Sequence, residues 1–178
     1  MQRTLLFAGI LNLCGLIALT LYILLASQKI AYVDSPQMVN NYKGMQDARK
    51  AYQQKTATWK ANIDTLAGEV QKQIMSYDKE GTKMTLKERQ LTQELIKTKQ
   101  NQLIEYQRAM NTQAQQEEGR MNADVASQIN AYLKKYGKQH GYKIVLAATE
   151  YGNLAYADEG LDITKEVLEG LNKEYVGQ

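Results

Sequence analysis

The chain has 178 residues, 22 Lys+Arg against 19 Asp+Glu, and a formal charge of +3, a length that predicts one domain with appendages. Its one cysteine, Cys14, and one histidine, His140, exclude an internal disulfide and a His/Cys zinc site. With no glycine-rich phosphate loop, Ser/His/Asp set or HExxH, the expectation is a protein that is not an enzyme and carries no metal or cofactor.

Leu5 to Ala26 is a run of 22 residues without a charge. That is long enough to span a bilayer core. Met1 with its amino group and Arg3 supply the positive flank that stays cytoplasmic. A cleaved signal peptide has a shorter apolar region, about 7–15 residues, and a small-x-small cleavage site. Here Leu24-Leu25-Ala26-Ser27 places Leu where a small residue is wanted, and Leu13 before Cys14 makes a poor lipoprotein site. Residues 1–28 are expected to be an uncleaved signal anchor, a transmembrane helix in the inner membrane, with a signal peptide as the rival. Either way the rest of the chain is exported.

Lys29–Asp34 predicts a short strand, with Ile30 and Tyr32 on one face and Ala31 and Val33 on the other. Ser35-Pro36 predicts a helix start, with Ser as cap and Pro at the first helical position. From Pro36 to Gly137 there is no further proline, and good helix formers dominate. Two interleaved heptad series run through the first part: Met38, Met45, Tyr52, Trp59, Leu66, Gln73 and Tyr42, Arg49, Thr56, Ile63, Val70, Tyr77. Steps of four and three predict a coiled-coil seam. The pattern breaks at Asp78–Lys83, and Thr85-Leu86-Lys87-Glu88 then has the capping-box form. A second helix follows with Leu91, Leu95, Ile96, Leu103, Ile104, Tyr106, Met110, Met121, Val125, Ile129, Tyr132 and Leu133. The expected form is a long antiparallel α-helical hairpin over residues 44–138 with its tip near Gly81. Folding the chain there brings Gly44 and Gly119 to one height. Since glycine weakens a helix interior by roughly 1 kcal/mol relative to Ala, the pair is a candidate hinge.

Beyond Gly137, which with Gly141 is available for a left-handed cap, Tyr142–Ala147 predicts a strand. Thr149–Asn153 predicts a turn, Leu154–Ala157 a returning strand, and Asp162 the cap of a final helix with Ile163, Val167, Leu168 and Leu171 on its apolar face. The fold class is therefore α+β. Residues 29–43 and 139–178 would form a small β-rich body, too small for a robust core alone, so oligomerisation is expected. The charge is divided. Residues 44–138 hold 16 Lys+Arg and 11 Asp+Glu (+5), whereas residues 139–178 hold 3 Lys and 7 Asp+Glu (−4). The bases are interleaved with acids and the chain is exported, so nucleic acid is not an expected partner.

These residues resemble the Skp/OmpH family of periplasmic chaperones. The similar stretches are Lys29–Asp34 before a helix, His140–Leu146, Asn153–Ala157, and Asp162–Leu168 ending Leu171-Asn172, spaced around a helical hairpin. The resemblance implies a homotrimer with a small β-barrel-like body, in which Ile30, Tyr32, Val33, Tyr142, Ile144, Leu146, Leu154 and Tyr156 would lie. It implies three helical arms around a cavity that holds unfolded outer-membrane β-barrel proteins in the periplasm without ATP. The family's signal peptide is usually cleavable, and the long apolar N-terminus departs from that.

A holder of varied clients needs a forgiving apolar surface, and the chain has 12 Tyr and 7 Met but one Phe and one Trp. Tyr52, Trp59, Ile63 and Leu66 are candidate client contacts, although their heptad positions also suit seam residues. Lys55, Lys60, Lys72, Lys83, Lys87 and Arg89 are candidates for steering net-acidic clients. The alternative is a membrane-anchored structural coiled-coil spacer or adaptor that binds no client.

Overall fold

The computed structural model describes residues 29–177, so the anchor expected over Leu5–Ala26 lies outside the described residues. Among the described residues no helix is long and apolar enough to cross a membrane. The elements in order are β1 (Lys29–Asp34), α1 (Ser35–Asn41), α2 (Lys43–Glu80), a 3-10 turn (Gly81–Lys83), α3 (Leu86–His140), β2 (Tyr142–Ala148), a second 3-10 turn (Glu159–Leu161) and α4 (Thr164–Val176). The described residues are mostly helical, with a small two-stranded sheet.

Two compact units divide the chain. One takes the described residues up to Gln37 together with Ala131–Val167; the other takes Met38–Asn130 with the described residues from Leu168 on.

In the first unit β1 and β2 pair in parallel, with Ile30 opposite Ile144 and Tyr32 opposite Leu146. A shift between Lys29 and Ile30 bulges the start of the pair, so Lys29 lies opposite Tyr142. The other edge of β1 is capped by the start of the last helical segment, where Ile163 N–H donates to the Tyr32 carbonyl at 3.0 Å. The Asp34 N–H donates to Thr164 Oγ1 at 2.9 Å, and Thr164 in turn donates its amide and hydroxyl to Asp162 Oδ1. Ala31, Val33, Ile163, Thr164 and Val167 are buried. Their alternation on β1 is that of a strand with one covered face.

Two expectations are corrected in this unit. The helix cap is Asp34, whose Oδ1 accepts from Gln37 N–H at 2.8 Å; Ser35 is already the first helical residue. No strand forms over Leu154–Ala157. The turn at Thr149–Gly152 is present, with Gly152 N–H donating to the Thr149 carbonyl. The Asn153 side chain then takes the groups a returning strand would have paired. Its Nδ2 donates to the Ala147 carbonyl at 2.6 Å and its Oδ1 accepts from Thr149 N–H at 2.8 Å. An amide that mimics the backbone in this way competes with the ladder.

In the second unit the chain does not run as one helix from Pro36. It breaks at Tyr42, which is extended (φ −73°, ψ 123°). Asn172 of α4 bridges the break: its Oδ1 accepts from Lys43 N–H at 2.8 Å and its Nδ2 donates to the Asn41 carbonyl at 3.1 Å. With its 38 residues α2 is about 57 Å long at 1.5 Å per residue. Side-chain bonds join α2 to α3 at Lys55–Glu117, Asn62–Tyr106, Lys99–Glu69 and Tyr77–Gln93, and Tyr42 just before α2 donates to Gln128, so the two run antiparallel. Thr85 and Glu88 close the capping box at the start of α3: Thr85 N–H donates to Glu88 Oε2 at 2.8 Å and Glu88 N–H to Thr85 Oγ1 at 3.3 Å. Met38, Tyr42, Met45, Val70, Val125, Ile129 and Leu171 are buried.

The pairing register is shifted from the one predicted. Folding at Gly81 would set Tyr52 near Met110; its hydroxyl donates instead to the Ala114 carbonyl at 3.4 Å, one turn further along α3. The connection includes Met84 and Thr85 after the 3-10 turn, which moves the reflection point past Gly81. Gly44 and Gly119 are correspondingly out of step.

Candidate functional site

Tyr52, Trp59, Ile63 and Leu66 recur along α2 at seven, four and three residues and are all half-buried. Their counterparts on α3, Ile96, Leu103, Tyr106 and Met110, are half-buried too. Only Val70 on this stretch is fully covered. The seam is therefore thin, as two helices without a third must be. Tyrosine hydroxyls stitch it at intervals, including Tyr42 to Gln128 at 2.6 Å and Tyr77 to Gln93 at 2.6 Å.

Near Gly44 the pair opens into a cleft of about 490 Å³. Ala48, Ala51, Met121 and Val125 line it, with Asp47 and Tyr175 among the polar groups. The polar groups are mutually engaged: Tyr175 donates to Asp47 at 3.1 Å, Lys55 pairs with Glu117 at 2.9 Å, and Arg120 with Asp124 at 3.6 Å. Bonding to Asp47 raises the Tyr175 phenol above its ordinary pKa, and burial does the same for Tyr42. At neutral pH both phenols keep their protons and can donate. Gly44 makes room for the Tyr42 ring, whereas Gly119 faces open space.

The cations expected to steer clients are dispersed. Lys55 is tied to Glu117. Lys60, Lys72, Lys83 and Lys87 are exposed, and Arg89 is half-buried with no hydrogen-bond partner for its Nε among the described residues. Glu88 is held below the ordinary carboxylate pKa by the Thr85 amide and then the Thr85 hydroxyl. Among the described residues no group of three or more His, Cys, Asp or Glu could hold a metal ion.

In the first unit the sheet has one open face. Ile30, Ile144 and Leu146 stand exposed on it, with Tyr32 half-buried beside them. Val33 lies on the opposite, covered face with Ala31, as the alternation along Lys29–Asp34 predicts. Tyr142 is half-buried under Lys29, whose Nζ sits 6.0 Å from the ring centroid. Leu154 is half-buried and Tyr156 exposed in the irregular segment after the turn. His140 stacks on Tyr136 with centroids 4.1 Å apart, closing α3 before Gly141 turns left-handed at φ 74°.

Three features carry no local signal in the sequence. Asn172 bridges the helix break from across the chain, and only its amide chemistry hinted at such a role. Asn153, a turn residue by its sequence context, also bonds the end of β2 through its side chain. Met75, Leu86, Leu91, Leu95 and Ile104 are the exposed apolar residues of the long helices, and they do not coincide with the seam.

The fold has a solved relative. A Caulobacter crescentus CB15 protein assigned as an OmpH-like outer membrane chaperone matches with a TM-score of 0.74 at 13% identity, covering 84% of this chain and 86% of that one. At that identity the likeness is one of fold. No curated protein matches the chain. The sequence profile of the family described as Outer membrane protein (OmpH-like) matches residues 29–171. With four-fifths of its length covered by that profile, and its fold shared with a solved OmpH-like protein, the chain belongs to the OmpH-like outer membrane protein family.

Proposed function

We propose that the protein is a periplasmic holdase chaperone. It binds unfolded outer-membrane β-barrel proteins without ATP and keeps them from aggregating. Three copies associate through their sheets, and their helical hairpins act as arms bounding a cavity. Residues 5–26 tether the assembly to the inner membrane. Holding is its whole task, and no bond is made or broken.

One observation carries this reading: the parallel β1–β2 pair leaves Ile30, Ile144 and Leu146 uncovered. Parallel sheets are ordinarily covered on both faces, because their strands are apolar on both. A second copy of the chain is a partner always present to cover such a face. Membership of the OmpH-like family supports a chaperone role, as does the assignment of the Caulobacter relative as an outer membrane chaperone. The tyrosine- and methionine-rich helices suit varied apolar clients.

The test is light scattering of a urea-unfolded outer-membrane β-barrel protein diluted with and without the full chain. Suppression near a one-to-one ratio of client to trimer is expected. Undiminished aggregation would favour a structural spacer instead.

A further inference from the structure

On the two long helices every large apolar side chain that stands exposed lies in the segment flanking the turn. Met75 on α2 and Leu86, Leu91, Leu95 and Ile104 on α3 are the set, and the other described lengths of these helices carry none. Scattered single apolar residues are ordinary on any surface. Five confined to one end of a pair of helices are not scattered.

Their positions exclude a seam role. Thr92, Ile96, Lys99 and Leu103 are the half-buried positions of α3 here, and the bond from Lys99 to Glu69 of α2 at 3.1 Å marks that side as turned toward α2. Leu91 and Leu95, four apart, share a line on one flank of that side. Leu86 and Ile104, separated by five full turns, share a line on the other flank. Leu86 is 84% exposed and Met75 61%. A seam residue must be uncovered before it can bind anything, and these need no opening.

Charge accompanies them. Residues 72–99 hold seven Lys+Arg against four Asp+Glu, or +3. One of the four acids, Glu88, is occupied by Thr85. Lys72, Lys79, Lys83 and Lys87 make no ion pair among the described residues. Lys72 and Lys79 lie three before and four after Met75, hence on its face, and Lys87 lies four before Leu91.

From this juxtaposition we infer that the turn-proximal third of the helical pair is the client-contact surface, and that it takes unfolded, net-acidic polypeptide through Met75, Leu86, Leu91, Leu95 and Ile104. The seam residues Tyr52, Trp59, Ile63 and Leu66 then hold the pair together and do not contact the client. This rests on the holdase reading. A flexible chain is the occupant because the apolar lines run down several sides of the pair. A membrane surface would require one continuous apolar face, whereas an extended polypeptide can follow separate lines and meet the lysines beside Met75 and Leu91.

The test uses the full chain in zwitterionic lipid nanodiscs and a fluorescent, urea-unfolded, net-acidic outer-membrane β-barrel protein. The triple substitution Leu86→Gln, Leu91→Gln, Leu95→Gln should weaken capture by about tenfold or more, with helical circular dichroism and native mass unchanged. A photo-crosslinking residue placed singly at Met75, Leu86 or Leu91 should capture the client, and one at Gln54, exposed on the other half of α2, should not. The crosslinking arm stands even if the triple variant fails to fold. Unweakened capture by a folded triple variant would overturn the inference and leave the holdase reading intact, as would crosslinking equal at Gln54. Binding of the region to anionic vesicles with no client crosslink would overturn it in favour of a lipid surface. Failure of the unsubstituted chain to capture any client would instead defeat the holdase reading itself.

Discussion

The Tyr42 ring occupies the space a side chain on Gly44 would need: a Cβ built there would lie 2.5 Å from Tyr42 Cζ. The helix break at Tyr42 turns its ring back over the first turn of α2, and the phenol then donates to Gln128. Gly44 is explained by this close approach. Gly119 has no such neighbour within 4 Å.

The two glycines should therefore respond oppositely to alanine. Gly44→Ala gains roughly 1 kcal/mol of helix propensity but meets an overpacking cost of about 1–3 kcal/mol. A net loss is expected, seen as a lower Tm. Gly119→Ala meets open space and should raise stability by about 0.5–1 kcal/mol. If Gly119 is a joint that lets the arms flex, Gly119→Ala should also slow client capture. Thermal unfolding of both variants beside stopped-flow capture decides this; a destabilised Gly119→Ala would contradict the open surroundings.

Asn172→Ala should loosen the junction between α1 and α2. It removes the acceptor of Lys43 N–H and the donor to the Asn41 carbonyl at once. Both groups are near solvent, so water takes part of the loss, and about 1–2 kcal/mol is expected. Denaturant unfolding measures it. Asn172→Asp, which keeps the acceptor alone, should fall between alanine and the native residue.

The capping box makes a pH prediction. Glu88 has a folded pKa below its unfolded value, so its contribution is fully present above the unfolded pKa and is lost as pH falls through the folded pKa. The protection factor of the Thr85 amide, which donates to Glu88, should drop on acidification below the carboxylate range. In Glu88→Ala it should be low at every pH. An amide as protected at low pH as at neutral pH would contradict the bond.

Much of this architecture was legible because it is locally encoded. The heptads placed Tyr52, Trp59, Ile63 and Leu66 on one side of a helix, and Thr85 with Glu88 marked a helix start three residues apart. What escaped depends on distant or competing partners. Nothing near Tyr42 announced a break, because the amide that stabilises it belongs to Asn172. Leu154–Ala157 has the composition of a strand, but the Asn153 amide takes the Ala147 carbonyl first. The register of the helical pair depended on how many residues the connection uses, and hydrophobic periodicity does not encode that number. Leu91, Leu95 and Ile104 stand in the same apolar series as Ile96 and Leu103, and composition alone does not separate the covered side chains from the open ones.

Charge steering predicts a kinetic signature. The association rate with an unfolded net-acidic client should fall as salt rises, because interactions beyond a Debye length of roughly 8 Å are screened at physiological salt. The dissociation rate should change less, since apolar contacts hold the client. Reversing Lys72, Lys83 and Lys87 together should slow capture while leaving assembly unchanged. Stopped-flow capture at two salt concentrations checks both; an association rate flat with salt would leave apolar capture alone.

The account turns on whether the open sheet face is covered by copies of the same chain that together hold a client. Native mass measurement of the full chain at micromolar concentration, with and without an unfolded outer-membrane β-barrel protein, tests this most directly. Three chains alone, and three chains plus one client when it is added, are the predicted masses. Leu146→Asp with Ile144→Asp should reduce the first to a single chain, because the face would then bury unpaired carboxylates. A stable monomer that binds no client, with the exposed Ile30, Ile144 and Leu146 still in place, would contradict the account.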